Sequence, residues 1–209
     1  MSIYKSMYRV LMNSSSDIIF HINFICWISA YIFAMRNFCL FSFVSGLSLW
    51  CVWEYIYHRF MMHGMRYVNE KIYYYMHGHH HVYPHKKSIH IPPFQWCIVL
   101  PCFFLLFKII GLSYDQNVSY SVGLLIGSFI FDKMHQYIHL NKNNIKEIFE
   151  QYHLCHHKSS KEAYCVTSPL MDIMLRTFPY HTFGHNLLAY IPIPYYSFKY
   201  GVNKNNKKR

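Results

Sequence analysis

Phe38–Tyr57 reads FCLFSFVSGLSLWCVWEYIY, a run with a single charge, Glu54, that leads directly into His58. A helix needs about 20 apolar residues to cross the hydrocarbon of a bilayer, so this stretch sets the expected fold class as helical and membrane-embedded. Working outward, Ile18–Met35 precedes it, and Phe94–Leu112 and Val118–Phe131 follow. The last run is short; it reaches spanning length by continuing as a helix into Asp132–His139, the alternative being a re-entrant segment. Ile18–Met35 lacks a small-residue cleavage site and is followed almost at once by the second run, so it reads as a permanent anchor and not a signal peptide. Arg36–Asn37 joins the first two runs and Ser113–Asn117 the last two, both too short to hold a folded part. The expectation is an all-α integral membrane protein of about four transmembrane helices in two hairpins.

Two hairpins put both termini, His58–Pro93 and everything after Asp132 on one side of the membrane. That side holds Lys5, Arg9, Arg59, Arg66, Lys71, Lys86, Lys87, the lysines from Lys133 onward and the basic tail Lys199–Arg209, whereas the opposite turns hold Arg36 and Asp115. Lysine and arginine collect on the cytosolic side of membrane proteins, so the termini and the segments between hairpins are expected in the cytosol. Residues 1–209 read as one domain, with no composition shift that divides them. At 53% hydrophobic and 14% charged residues the chain is too apolar to be disordered. The net charge of +11 is spread between apolar runs and gathered in the tail, which suits anionic lipid headgroups better than nucleic acid. Seven cysteines without a CxxC pair imply no disulfide framework.

Sixteen histidines are present, most of them just beyond the cytosolic ends of the runs. After the second run come His58 and His63, then His77, His80 and His81; after the fourth come His135 and His139, then His153, His156 and His157. Residues three and four apart share a helix face, so His77 with His80 and His81, His135 with His139, and His153 with His156 and His157 are each expected to aim at one point. His58 and His63 are five apart, roughly 140° around an ideal helix, so the helix is expected to end or distort there. Ten imidazoles are too many for one tetrahedral zinc and enough for two ions with four or five ligands each. Glu54, one turn before His58, and Asp132, three before His135, are candidate acceptors that fix imidazole tautomer and orientation. His21, His85, His90, His181 and His185 read as ordinary polar or interfacial side chains.

These residues resemble the membrane fatty acid hydroxylase superfamily, and within it the fatty acid 2-hydroxylases that act on sphingolipid acyl chains. The resemblance covers about Glu54 to Thr177. It rests on Glu-Tyr-x-x-His-Arg-Phe-x-x-His (Glu54–His63), His-Gly-x-His-His-x-x-Pro (His77–Pro84), Pro92–Pro93, Asp-x-x-His-x-x-x-His (Asp132–His139), His-x-x-His-His (His153–His157) and Val166-Thr-Ser-Pro-Leu-Met-Asp172 with Thr177. It implies metal ligands at His58, His63, His77, His80, His81, His135, His139, His153, His156 and His157. It further implies two metal ions, iron foremost with zinc able to occupy the positions, an O2-dependent hydroxylation of a fatty acyl chain of ceramide, and an endoplasmic reticulum membrane in a eukaryote. No haem-binding segment precedes Met1–Asp17, so a separate redox donor such as cytochrome b5 is expected. Departures include His79, Lys86 where the family has Asp, Met171 where it has Trp, and a shortened His63–His77 loop; these bear on substrate choice more than on metal binding.

Tyr55, Tyr73–Tyr75, Phe94, Trp96 and Tyr137 are candidate walls for an acyl groove, or core and interface belt. A sterol oxidase or desaturase, or a carotenoid hydroxylase, would use the same scaffold. From another class, a metal transporter or storage protein would place its ligands nearer the bilayer midplane and commonly show repeats, which these segments lack.

Overall fold

The computed structural model describes residues 17–84, 94–140 and 148–183, and every regular element among them is helical. α1 (Asp17–Ala34) and α2 (Leu40–Ile56) form the first hairpin. α2 runs on through a π-helical turn, Tyr57–His63, into Met65–Val68. A composite α3 follows: Glu70–Tyr73, a second π-helical turn at Tyr74–Gly78, then His79–Val82. The second hairpin is α4 (Phe94–Ile109) and α5 (Tyr114–Leu140), and α6 (Ile148–Lys158), α7 (Leu170–Met174) and α8 (Tyr180–Phe183) complete the order.

The four apolar runs of the sequence correspond to α1, α2, α4 and α5, and the fourth continues unbroken through Asp132 and His139, as its short apolar core required. Its 27 residues make a helix about 40 Å long. Pro101 lies inside α4, which carries on to Ile109. By length and composition, the helix over Leu40–Val68 is the one among the described residues able to cross a membrane; His21–Ala34 and Trp96–Ile109 are shorter apolar helices.

α2 and α5 lie side by side and parallel. The Cys39 amide donates to Ser119 Oγ at 3.0 Å, Gly46 meets Tyr120 and Gly123, and Trp50 meets Gly127. A Cβ on Gly46 would run into the Tyr120 carbonyl, and one on Gly123 into that of Phe43, so the two backbones touch. Small residues spaced four apart, Ser119, Gly123 and Gly127, allow this approach, which replaces area burial as the cohesive force between apolar helices. α1 covers α5 through Phe24 stacked on Phe129 at 4.4 Å. α4 packs Trp96 on Trp50, Phe103 on Trp53 and Phe107 on Tyr120.

The connecting turns meet at one end, where Asn37 donates to the Asp115 carboxylate from its backbone N (3.2 Å) and from Nδ2 (3.0 Å). The histidine-bearing segments therefore gather at the other end, where α2 and α5 both arrive. Polarity is turned inward along the bundle: Ser42, Asn117, Ser119, Ser121, Ser128 and Asp132 are buried, while Phe33, Phe41 and Ile109 are 95%, 80% and 72% exposed.

Candidate metal centre

The π-helical turn at Tyr57–His63 resolves the five-residue spacing of His58 and His63. Hydrogen bonds from i to i+5 widen the turn, so residues five apart share a face, and the two rings lie 5.2 Å apart. Gly64 closes this turn where a Cβ would collide with the Phe60 carbonyl. The second wide turn, Tyr74–Gly78, delivers His77, and a Cβ on Gly78 would strike the Tyr73 ring at 2.7 Å.

All ten histidines meet in two adjoining groups: His58, His63, His77, His81 and His156 in one, and His80, His135, His139, His153 and His157 in the other. Within each group the ligand atoms lie within 4.8 Å of one another. The expectation that each HxxHH box aims at a single point is corrected. In both boxes the first and last histidines, four apart, share a group, while the middle one crosses to the other. His80 leaves His77 and His81 for α5 and α6, with ring centroids 4.6 Å from His135 and 4.5 Å from His139. His156 leaves His153 and His157 to stand 4.4 Å from His58. A residue one position short of i+4 is turned about 100° away from its neighbour, which is enough to face a second centre.

Nitrogen geometry favours an ion at each group. Nε2–Nε2 separations are 3.0 Å (His58–His77), 2.8 Å (His77–His81) and 2.9 Å (His63–His156) in the first. In the second they are 3.2 Å (His135–His139), 3.0 Å (His139–His153) and 3.2 Å (His153–His157). Two nitrogens at right angles around one ion, each about 2.0–2.1 Å from it, stand about 2.9 Å apart. His58 donates from Nδ1 to the Tyr164 carbonyl, and His156 from Nδ1 to the Glu162 carbonyl at 2.8 Å. A neutral imidazole that donates at Nδ1 keeps its lone pair at Nε2, so both rings present ligand atoms inward. His80, 7% exposed, has no hydrogen-bond partner on either ring nitrogen among the described residues, an arrangement too costly to persist without another acceptor of its lone pair. The donor set, all imidazole, suits iron, zinc, copper or nickel.

Burial, reinforced by neighbouring imidazoles, holds His77, His80, His153 and His156 well below the ordinary histidine range, and burial lowers His81 to about 4. These rings are neutral at pH 7 and ready to bind an ion. Because their folded-state values lie below the ordinary value of about 6.5, the histidine contribution to stability is present above that pH and is lost as pH falls toward 4. Detergent-solubilised, metal-free protein is expected to melt at progressively lower temperature from pH 7 to pH 5, and metal-loaded protein to hold its melting temperature further into acid. Differential scanning fluorimetry with and without chelator checks this.

Glu54 meets the segment after α6 and not an imidazole directly: its buried carboxylate accepts from the Val166 and Thr167 amides and from Thr167 Oγ1, and so reaches the imidazoles at one remove. Asp132 is fully buried, three residues before His135, with the Lys133 ammonium 3.7 Å from its Oδ2. Tyr55 is not a groove wall; it is fully buried, bonded to Thr177 Oγ1 at 3.1 Å and edge-on to Tyr164. Trp96 is core, whereas Tyr74, Tyr75 and Tyr137 are exposed. His21 stands edge-on to Phe129, and His85, His90 and His185, like the side chains of Phe94 and His181, lie outside the described residues. Two features escape sequence reading. Backbone carbonyls have no sequence signature, and Asp172, on α7, belongs to the Val166–Asp172 stretch that carries the resemblance, which does not show the role its four accepted hydrogen bonds give it.

The same stretch is matched by a family model. The fatty acid hydroxylase model covers residues 43–177, more than half of the chain and all ten clustered histidines. The chain belongs to the fatty acid hydroxylase family. Among curated members it is 29% identical over 143 residues to the dihydroceramide fatty acyl 2-hydroxylase FAH1 of Arabidopsis thaliana, an overlap of 65% of this chain and 60% of that protein. It is 28% identical over 144 residues to the fatty acid 2-hydroxylase of Homo sapiens, covering 65% of this chain and 38% of the human one. The chain thus spans between about two fifths and three fifths of the length of these hydroxylases. Among solved structures, full-length scs7p, of which only the hydroxylase domain is visible, shares the fold with a TM-score of 0.60 and 23% identity over 77% of this chain and 64% of that one.

Proposed function

We propose that this fatty acid hydroxylase family member is a hydroxylating monooxygenase that uses a pair of histidine-held metal ions, iron foremost, to place a hydroxyl at carbon 2 of a fatty acyl chain of ceramide. The observation that carries this reading is the pair of adjoining five-imidazole groups at one end of an apolar helical bundle. Ions bound there would supply, with O2 and electrons from a donor such as cytochrome b5, an oxidant for a C–H bond that acid–base side chains do not activate. The ten histidines would hold that pair, and burial of the inner imidazoles excludes bulk water around it. Curated relatives that are dihydroceramide fatty acyl 2-hydroxylases or fatty acid 2-hydroxylases support the substrate class.

Four helices in two hairpins would embed the chain, with α1, α2, α4 and α5 crossing or entering the bilayer and the histidine end facing the cytosol, in the endoplasmic reticulum of a eukaryote. Outward Phe33, Phe41 and Ile109 with inward serines support that placement. Residues 1–209 would act as one unit.

The test is mass spectrometry of ceramides and free fatty acids from a host that lacks its own 2-hydroxylase and is grown under 18O2. The expected result is 2-hydroxy acyl chains carrying one labelled oxygen, absent from the empty-vector host. Unchanged acyl chains from well-expressed, metal-loaded and reductant-supplied protein would sink the acyl substrate, and sterols or carotenoids would then be assayed.

A further inference from the structure

The segment 162–167 contributes no ligand atom to either histidine group, although the Tyr164 ring packs 5.4–5.9 Å from His58, His63 and His156; its backbone faces the first group on one side and two buried carboxylates on the other. Four successive amides, those of Tyr164, Cys165, Val166 and Thr167, all end on Asp172 or Glu54. Tyr164 N and Cys165 N donate to Asp172 at 3.0 and 2.8 Å, and Val166 N and Thr167 N donate to Glu54. Asp172 also accepts from Tyr152 Oη at 2.6 Å and Thr177 Oγ1 at 2.7 Å. Both acids are almost wholly buried, Glu54 at 2% and Asp172 at 0% exposure. With its amides drawn to that side, the segment turns the Glu162 and Tyr164 carbonyls toward His156 and His58. Ala163, between them, sits at φ 53, a left-handed conformation that a residue with a Cβ adopts only when its surroundings impose it.

We propose that Glu54 and Asp172 are positioning residues for the first metal site alone, acting through the backbone of 162–167 to fix the tautomer and aim of His58 and His156. The carbonyl bonds of this segment go to His58 and His156, both of the first group. The inference rests on the proposed reading of the histidine groups as metal sites. A carboxylate accepts on both oxygens; an amide in its place turns a donor toward the donors it must accept, and the segment loses its anchor.

The test compares metal stoichiometry, by plasma mass spectrometry of purified protein, with circular dichroism as the folding control. Wild type is expected to hold two ions per chain. Asp172→Asn and Glu54→Gln are expected to keep their helicity and to hold one, with affinity for the lost ion down by about 10–100-fold, the usual effect of removing an outer partner of a ligand histidine. Combination with a ligand change assigns the site: Asp172→Asn with His139→Ala should hold almost no ion, and Asp172→Asn with His58→Ala should still hold one. Should either acid variant fail to fold, Thr167→Val, which removes the hydroxyl bonded to Glu54 at nearly constant volume, is expected to weaken the first site several-fold with the second unchanged. Two ions in the folded acid variants at wild-type affinity, or equal weakening of both sites, overturns the proposal while leaving the metal reading intact. A wild-type chain that binds no ion overturns both.

Discussion

A chain carrying His156→Ala or His157→Ala should make no detectable 2-hydroxy lipid, a fall of at least about 10³-fold, because a metal centre lowers a reaction barrier by several kcal/mol. The two residues are adjacent in sequence and serve different groups, His156 the first and His157 the second. Each single substitution therefore opens one site, and the double variant should be no worse than either alone. Ligands that work as a unit behave in this non-additive way. His79→Ala is the control from the same kind of run: His79 belongs to neither group and lies edge-on to Tyr74 at 5.6 Å. Its substitution should leave product within about threefold, the range of a change away from core and site. Product measured per milligram of purified protein decides the matter, and activity retained by either single variant would mean that one group suffices.

The second large effect concerns the bundle. Gly123→Val is expected to abolish accumulation of folded protein, since a Cβ at this position meets the Phe43 carbonyl and stands 2.9 Å from Leu47 N, both backbone atoms of α2. Backbone has nowhere to go without parting α2 from α5, and the cost should exceed about 4 kcal/mol, the exceptional end of single substitutions. Gly111→Ala provides the contrast. Gly111 sits at φ +89 with nothing within 4 Å of its missing Cβ, so alanine there brings strain without collision, on the order of 1–3 kcal/mol. Fluorescence-detected size-exclusion of tagged variants in detergent should show a monodisperse peak for Gly111→Ala and none for Gly123→Val.

Much of this arrangement was legible in the order of residues, and the part that was not follows a pattern. Apolar runs, the fourth with its continuation into Asp132–His139, gave α1, α2, α4 and α5 to within a few residues, because a long apolar run has to satisfy its backbone within itself, as a helix does. The distortion between His58 and His63 followed from their spacing. What spacing could not settle was which histidines share a centre: His80 and His81 are neighbours in sequence and partners of different groups, a division set by how α3 lies against α5 and α6. Glu54 was read by its distance along one helix from His58, but its acceptor atoms meet a segment more than a hundred residues later. Carbonyl acceptors such as Tyr164 and Glu162 depend on backbone direction and are invisible to residue type.

Charge balance gives the three buried acids a shared significance. Ten neutral imidazoles bring no charge to the centre, so two divalent ions would carry four positive charges into a place that water does not screen. Glu54, Asp132 and Asp172, all buried and each on a different helix, would return negative charge in proportion to how far each is ionised. A histidine-only cage thereby approaches electroneutrality without spending a ligand position on a carboxylate. Neutralising any one of the acids raises the cost of each further positive charge, so the same residues that brace the fold would also help the cage carry its ions.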